Sequence, residues 1–253
     1  MCGISARVGM GGSLQPLLTS LNNLDYRGYD SAGVAIRGDD GIGITKRSGE
    51  VSQLESAVDA GVRDGSIGIG HTRWSTHGPP TDANAHPHTD CHGQIAVVHN
   101  GIIENYAELR EGLRSRGHEF PSDTDTEVIP HLIEERMEDG HDAESAFRDA
   151  RSEIEGSYAN AMTVENERAV YGARSGSPLV VGVGDGANFL ASDVPAFLDF
   201  TDRVVYLEDD DVVVVTANGY QVTDTAGDAV VRPVETVDWN PEDAMKGSYD
   251  HYM

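Results

Sequence analysis

Cysteine and lysine are both scarce in this 253-residue chain, with two of each. Cys2 and Cys91 are too few for a disulfide-stapled secreted scaffold. No apolar run reaches the ~18 residues of a membrane-spanning helix, and the start of the chain carries no basic-then-apolar signal peptide. Low-complexity tracts and repeats of 20–50 residues are also missing. What remains is the composition of a folded, soluble, cytoplasmic domain, long enough to build its core without staples.

Positive charge is the other shortage. Eighteen basic residues face 43 acidic ones, for a net charge of −25. Apart from Lys46 and Lys246, the cations are all arginine. Such a surface repels nucleic acid and anionic membranes, and no basic patch offsets it. The acidic residues are spread along the chain rather than gathered in a partner-binding tail. Dispersed Asp with almost no Lys suits a salt-rich cytoplasm, where the screening length falls from ~10 Å at 0.1 M to ~3 Å at 1 M. The melting temperature should therefore rise on moving from dilute buffer to molar salt. Equal melting in both would exclude a halophilic adaptation.

Periodicity outlines the elements. Ile4, Ala6 and Val8 alternate as in a strand, and Leu14, Leu17, Leu18, Leu21 and Leu24 recur at helical spacing. Val34–Ile36 and Ile42–Ile44 read as a hairpin around Asp39-Asp40-Gly41. Ile67, Ile69 and residues 95–98 read as further strands. Helices are expected around Tyr106, Leu109 and Leu113, around Val128 to Met137, and over Ala143 to Ile154. Thr124-x-x-Glu127 reads as a capping box, and Pro130 implies that its helix starts late or bends. The remainder is strand-rich, with Asn218-Gly219 marking a hairpin. Sequential hairpins with a few long helices predict antiparallel sheets covered by helices.

Four segments could carry chemistry. Removal of Met1 would leave Cys2 as a terminal residue holding both a thiol and an α-amine of pKa about 7.7–8.0, so that nucleophile and base share one residue. Taken alone, Cys2 reads more simply as an ordinary cysteine opening a strand. His71 to Gly78, with Arg73, suits an anion because Arg grips a carboxylate bidentately; a polar loop is the simpler reading. Asn100-Gly101 could set a side-chain amide beside a backbone N–H as an oxyanion hole, or merely form a tight turn. Ser122 to Glu127 caps a helix, and Asp125 there could meet an ammonium group. His71, His77, His86, His88, His92, His99 and Cys91 fall in one stretch. Their spacing matches neither a helical i, i+4 pair nor a Cys-x₂-Cys knuckle, so no metal is expected.

Together, Cys2-Gly3-Ile4, Tyr26 to Gly33, His71 to Gly78, Asn84 to His88, His99 to Asn105, Thr124 to Glu127, Ala173 to Leu179 and Ala191-Ser192-Asp193 resemble, in order, one known family. It is the N-terminal glutaminase (class II glutamine amidotransferase) domain of the glutamine–fructose-6-phosphate aminotransferases. The resemblance implies an α+β fold, the four-layer αββα sandwich of the N-terminal-nucleophile hydrolases. It implies hydrolysis of L-glutamine by Cys2, with Asn100 and Gly101 holding the oxyanion. Arg73, Thr76 and His77 would bind the substrate carboxylate and Asp125 its ammonium. Trp74 would gate ammonia passage, with Arg27 and His86 supporting. No cofactor is implied. The domain would cover residues 2–240, and 241–253 would begin a linker to a sugar-phosphate isomerase domain. The full-length enzyme would then be the partner context, as a homodimer. The rival readings are another class II glutaminase domain, such as that of amidophosphoribosyltransferase, and a binding module with a dead site.

Overall fold

The computed structural model describes residues 2–27, 30–58, 64–75 and 78–238, of which Arg27 is described by its backbone alone. The segment expected to be a linker, 241–253, lies outside the described residues.

The chain opens with strand β1 (Gly3–Gly9), helix α1 (Leu14–Asn23), a 3₁₀ turn (Asp25–Arg27) and the hairpin β2 (Ser31–Gly38) and β3 (Gly41–Ser48). Helix α2 (Val51–Val58), β4 (Ile67–Arg73), β5 (His88–Thr89) and β6 (Ile95–Ile103) follow. Three helices come next: α3 (Tyr106–Ser115), α4 (Val128–Glu138) and α5 (Ala143–Glu153). Strands follow, with a 3₁₀ turn (Val194–Ala196) after the fourth: β7 (Gly156–Val164), β8 (Ala169–Ser175), β9 (Val180–Val183), β10 (Ala187–Ala191), β11 (Arg203–Tyr206), β12 (Val212–Thr216), β13 (Gly219–Thr223), β14 (Ala229–Val230) and β15 (Glu235–Thr236).

Two sheets form. One runs β15-β11-β9-β10-β1-β4-β2-β3 and the other β14-β13-β12-β8-β7-β6-β5, with neighbouring strands antiparallel. They pack face to face. Ile4, Ala6, Ile67 and Ile69 of the first sheet meet Val98, Ala161, Val170 and Val213 of the second in one buried cluster. The outer face of the first sheet is covered by α1 and α2 through Leu17, Leu21, Val51 and Leu54. The outer face of the second is covered by α3, α4 and α5 through Leu113, Leu132, Ile133 and Phe147. The order is therefore helix, sheet, sheet, helix, the four-layer αββα sandwich. Because β1 is central and covered on both sides, all seven of its residues are buried, including Ser5 and Arg7. Arg7 satisfies its guanidinium locally, donating to Met10 O at 2.6 Å and to Ser13 Oγ at 3.2 Å.

Several local expectations change. Helix α2 escaped sequence reading because it spans only eight residues, yet Val51, Leu54 and Val58 seat it in the core. Thr124 and Glu127 do not form a capping box: α4 has no side-chain cap, and Glu127 instead accepts from Ser122 N at 3.0 Å and Ser122 Oγ at 2.7 Å. Pro130 sits in the first turn of the late-starting helix, where its missing N–H would have had no intrahelical partner anyway. The β12–β13 hairpin forms, but Thr216 pairs with Gly219, so its loop is Ala217-Asn218 rather than Asn218-Gly219.

Candidate active site

The register of the first sheet decides where Cys2 lies. Gly3 pairs with Thr72 across β1 and β4, which brings Cys2 to the end of β4 at Arg73 and Trp74. On the other side of β1, Ser192 Oγ accepts from Ile4 N at 3.0 Å, and Ser192 N donates to Ile4 O at 3.0 Å. The start of β1 is thus clamped between β4 and the Ala191-Ser192-Asp193 segment. Tyr26 donates to Asp193 just beyond it.

Trp74 N donates to Cys2 Sγ at 3.2 Å, and the sulfur lies 3.5 Å from Trp74 O. Burial pushes the Cys2 thiol up from its ordinary pKa; the Trp74 N–H and the Arg73 guanidinium oppose that rise. The indole of Trp74 is 53% exposed, so its backbone faces the sulfur while its ring projects outward. Asp30 fixes this loop: it accepts from Ser75 N at 2.8 Å, and Asp30 N donates to Arg73 O at 2.8 Å.

Asn100 comes from the opposing sheet. Its Nδ2 donates to Cys2 O at 3.1 Å, and its Oδ1 accepts from His71 Nε2 at 2.9 Å. A carbonyl oxygen can only accept, so His71 carries its proton on Nε2. Burial pulls the His71 pKa down to about 3, which keeps the ring neutral and in that donor form. The His71 contact therefore dictates which way the Asn100 amide faces. The strand does not end at Asn100-Gly101, as a tight turn would require; β6 continues to Ile103. Gly101 adopts φ +125°, and a Cβ there would come within 1.9 Å of Ser157 O, so only glycine fits beside Asn100.

Arg73 is buried, with Nη1 donating to Ser75 Oγ at 3.0 Å and Nη2 to Gly78 O at 3.3 Å. Burial lowers its pKa, while Asp30, Cys2 and Asp125 act in the opposite direction. It remains a cation among acidic neighbours. Asp125 is buried just ahead of α4 and accepts from Ile103 N at 2.8 Å. Thr76 and His77 lie outside the described residues, as does the Arg27 side chain.

His86 belongs to a layer behind the site. Its ring stacks on His71 at 4.2 Å and meets His88 edge-on at 4.8 Å. His88 Nε2 lies 3.0 Å from Thr124 Oγ1, and His99 Nδ1 lies 2.9 Å from Thr126 Oγ1. Burial holds His86 and His88 well below the usual histidine range. These neutral rings join β4, the loop before β6 and the segment carrying Asp125. The structure thus gathers Cys2, Arg73, Trp74 and Asn100, with Gly101 adjacent in the strand and Asp125 close enough to act on Arg73. Sequence reading missed three supports: His71 behind Asn100, Asp30 behind the Trp74 loop and Ser192 beside β1. Each was present in a quoted motif, but none has a local pattern that discloses its partner.

A chain with this architecture and a cysteine at its second position invites comparison with known proteins. The sequence model described as a glutamine amidotransferase domain matches residues 71–199, just over half of the chain. The glutamine–fructose-6-phosphate aminotransferase [isomerizing] of Thermus thermophilus is 51% identical over 253 residues, covering all of this chain and 42% of that protein. The enzyme of the same name from Halobacterium salinarum is 48% identical over 253 residues, covering all of this chain and 41% of that protein. This chain thus spans about two fifths of the length of these curated relatives. Among solved structures, glutamine phosphoribosylpyrophosphate amidotransferase from B. subtilis superposes with a TM-score of 0.76 at 24% identity. That match covers 88% of this chain and 49% of the other, and it supports the fold. The chain belongs to the glutamine amidotransferase domain family, on the fold of the N-terminal-nucleophile hydrolases.

Proposed function

We propose that this domain hydrolyses L-glutamine to glutamate and ammonia through a thioester on Cys2. The observation that carries the reading is the Cys2 sulfur under the Trp74 N–H, with the Asn100 amide turned toward the same residue by His71. Once Met1 is removed, the α-amine of Cys2 takes the thiol proton. Sulfur then attacks the side-chain carbonyl carbon of glutamine. A C–S bond forms, the carbonyl oxygen becomes an oxyanion, and collapse breaks the C–N bond as the amine returns its proton to the leaving ammonia. Water then cleaves the thioester and restores the thiol. The Asn100 amide and the Gly101 N–H stabilise the oxyanion in both steps. Arg73, with Thr76 and His77, binds the α-carboxylate, and Asp125 the α-ammonium. This pairing selects a free amino acid over a glutamine within a peptide. His71 is a positioning residue, since it acts through Asn100.

The relatives' names support a reading of where the ammonia goes. In a longer chain carrying an isomerase domain, it would aminate fructose 6-phosphate to glucosamine 6-phosphate, with Trp74 gating its passage, Arg27 and His86 in support and a homodimer as the assembly. Residues 2–240 form the glutaminase unit in this reading, and 241–253 lead to the next domain. A reducing cytoplasm, rich in salt, suits the composition.

The test separates rate from binding. Asn100→Ala should lower kcat for glutamine hydrolysis by about 10²–10³ with a small change in KM. Asp125→Asn should act mainly on KM, because its contact forms with substrate as well as transition state. Steady-state glutamate release measures both. A large KM effect with unchanged kcat in Asn100→Ala would remove the oxyanion role.

A further inference from the structure

Away from Cys2, four side chains of metal-ligating type converge on one point. Cys91 sits in the turn between β5 and β6, His118 in the connection from α3 to α4, and His131 and Glu134 one turn apart on α4. Cys91 Sγ lies 3.5 Å from His118 Nδ1 and 3.6 Å from His131 Nδ1. The two Nδ1 atoms are 3.1 Å apart. Glu134 Oε2 lies 3.0 Å from His118 Nδ1 and 3.1 Å from His131 Nδ1.

These separations have the form of a coordination tetrahedron. Zinc bonds of ~2.3 Å to sulfur and ~2.0–2.1 Å to nitrogen or oxygen imply ligand–ligand edges of roughly 3.3–3.6 Å. The two sulfur–nitrogen edges fall there, and the nitrogen and oxygen edges are only slightly tighter. Protons alone do not account for the cluster. Each neutral imidazole carries at most one proton on Nδ1. With one proton among the two rings, a nitrogen lone pair still faces the Glu134 oxygen. With both rings protonated toward Glu134, two N–H groups face each other across 3.1 Å. A central cation relieves both conflicts at once.

We propose that Cys91, His118, His131 and Glu134 form a structural zinc site of the Cys-His₂-Glu type. One thiolate, one carboxylate and two neutral imidazoles balance the charge of Zn²⁺, and binding releases the Cys91 thiol proton to solvent. All four tetrahedral positions are filled by protein, as in a structural rather than a catalytic centre. The outer contacts fit the same purpose. His118 Nε2 lies 3.3 Å from Glu135 Oε1, a carboxylate behind a ligating histidine. Arg116 Nη2 donates to Glu135 Oε2 at 3.0 Å and holds it there. The His131 ring packs against Phe120 at 4.6 Å. Cys91 is exposed, which gives the ion an entry path. The site ties the β5–β6 turn to α4 and the connection before it, the segment that carries Asp125. Sequence reading expected no metal because it weighed Cys91 with nearby histidines; the partners proposed here come from residues 27 to 43 positions further on.

The test uses the full 253-residue chain without a histidine tag, in a Cys2→Ser background so that Cys91 is its sole thiol. After exhaustive dialysis, elemental analysis should find one zinc per chain. Cobalt replacing zinc should give the intense visible bands of a tetrahedral ion together with a thiolate-to-metal charge-transfer band. Cys91→Ser should abolish that band, and His131→Asn should lower metal occupancy, with far-ultraviolet dichroism unchanged in both. Zinc should raise the melting temperature by about 5 °C or more, and the variants should lose that rise. No retained zinc, an octahedral cobalt spectrum, or equal zinc binding by a chain carrying both Cys91→Ser and His131→Asn would each overturn the site. The last outcome would mean adventitious binding elsewhere on an acidic surface.

Discussion

Cys2→Ala is expected to reduce glutamine hydrolysis by about 10⁴-fold or more, while glutamine still binds. The asymmetry follows from the division of labour in the site. The sulfur forms the bond that is lost in the variant. Arg73 and Asp125, which are proposed to hold the two ends of the amino acid, stand on β4 and ahead of α4 and do not depend on the thiol for their placement. Glutamate release measures the first effect and calorimetric titration with glutamine the second. Intact mass adds an independent readout. A diazo-ketone analogue of glutamine should add once to the wild-type chain lacking Met1 and not at all to Cys2→Ala. Turnover that survives the substitution would end the nucleophile assignment. A processed wild-type chain that stays unlabelled would mean that the site is not assembled without a further domain, or that Cys2 is not the nucleophile.

Acid should unfold this protein well above the pH at which its surface carboxylates titrate. His71 has a folded pKa of about 3, and His86 and His88 lie well below their ordinary value of 6.5, all through burial. The unfolded chain exposes these rings, so below pH 6.5 it binds protons that the folded chain refuses. The stability they contribute is complete above pH 6.5 and is lost progressively as pH falls toward about 3. At pH 5 the His71 ring alone costs roughly 2 kcal/mol, and His86 and His88 act in the same direction. That loss is set against a whole stability of only about 5–15 kcal/mol for many domains. Glu127 and Asp90 act in the opposite direction, since burial raises their pKa values from 4.5 and 3.8, and stability is regained as they protonate. Denaturant midpoints at pH 8, 6.5 and 5, in molar salt to suppress surface repulsion, should fall steeply over the last interval. Net proton uptake on unfolding at pH 5 should accompany that fall. A flat profile between pH 8 and 5 would show that the three rings are not held neutral in the fold.

Sequence periodicity was sufficient for most long elements. The leucine spacing of α1, the alternation of β1 and the hairpin at Asp39-Asp40 all appear where local rules put them. Local rules failed where a side chain had a better distant partner or where packing outweighed length. Glu127 turned to Ser122 instead of capping α4. Eight residues sufficed for α2 because their apolar face found a sheet. Asn100-Gly101, a turn by local preference, stayed inside β6 because β7 pairs with it throughout, Asn100 opposite Ala159 and Gly101 opposite Tyr158.

By itself, the sequence determined which residues are candidates for the site. Cys2, Arg73, Asn100, Gly101 and Asp125 stand out because their chemistry and their order along the chain match one family, information that is one-dimensional. Only the tertiary structure decided their mutual geometry. The β1–β4 register carries Cys2 to Trp74, and the packing of two sheets sets Asn100 and His71 at hydrogen-bond distance. The same holds for the Cys91, His118, His131 and Glu134 cluster, whose members come from a turn, a connection and a helix. Periodicity and spacing report forces acting over a few residues. Contacts across dozens of residues follow from which faces are buried together, and that is settled only when the whole chain has packed.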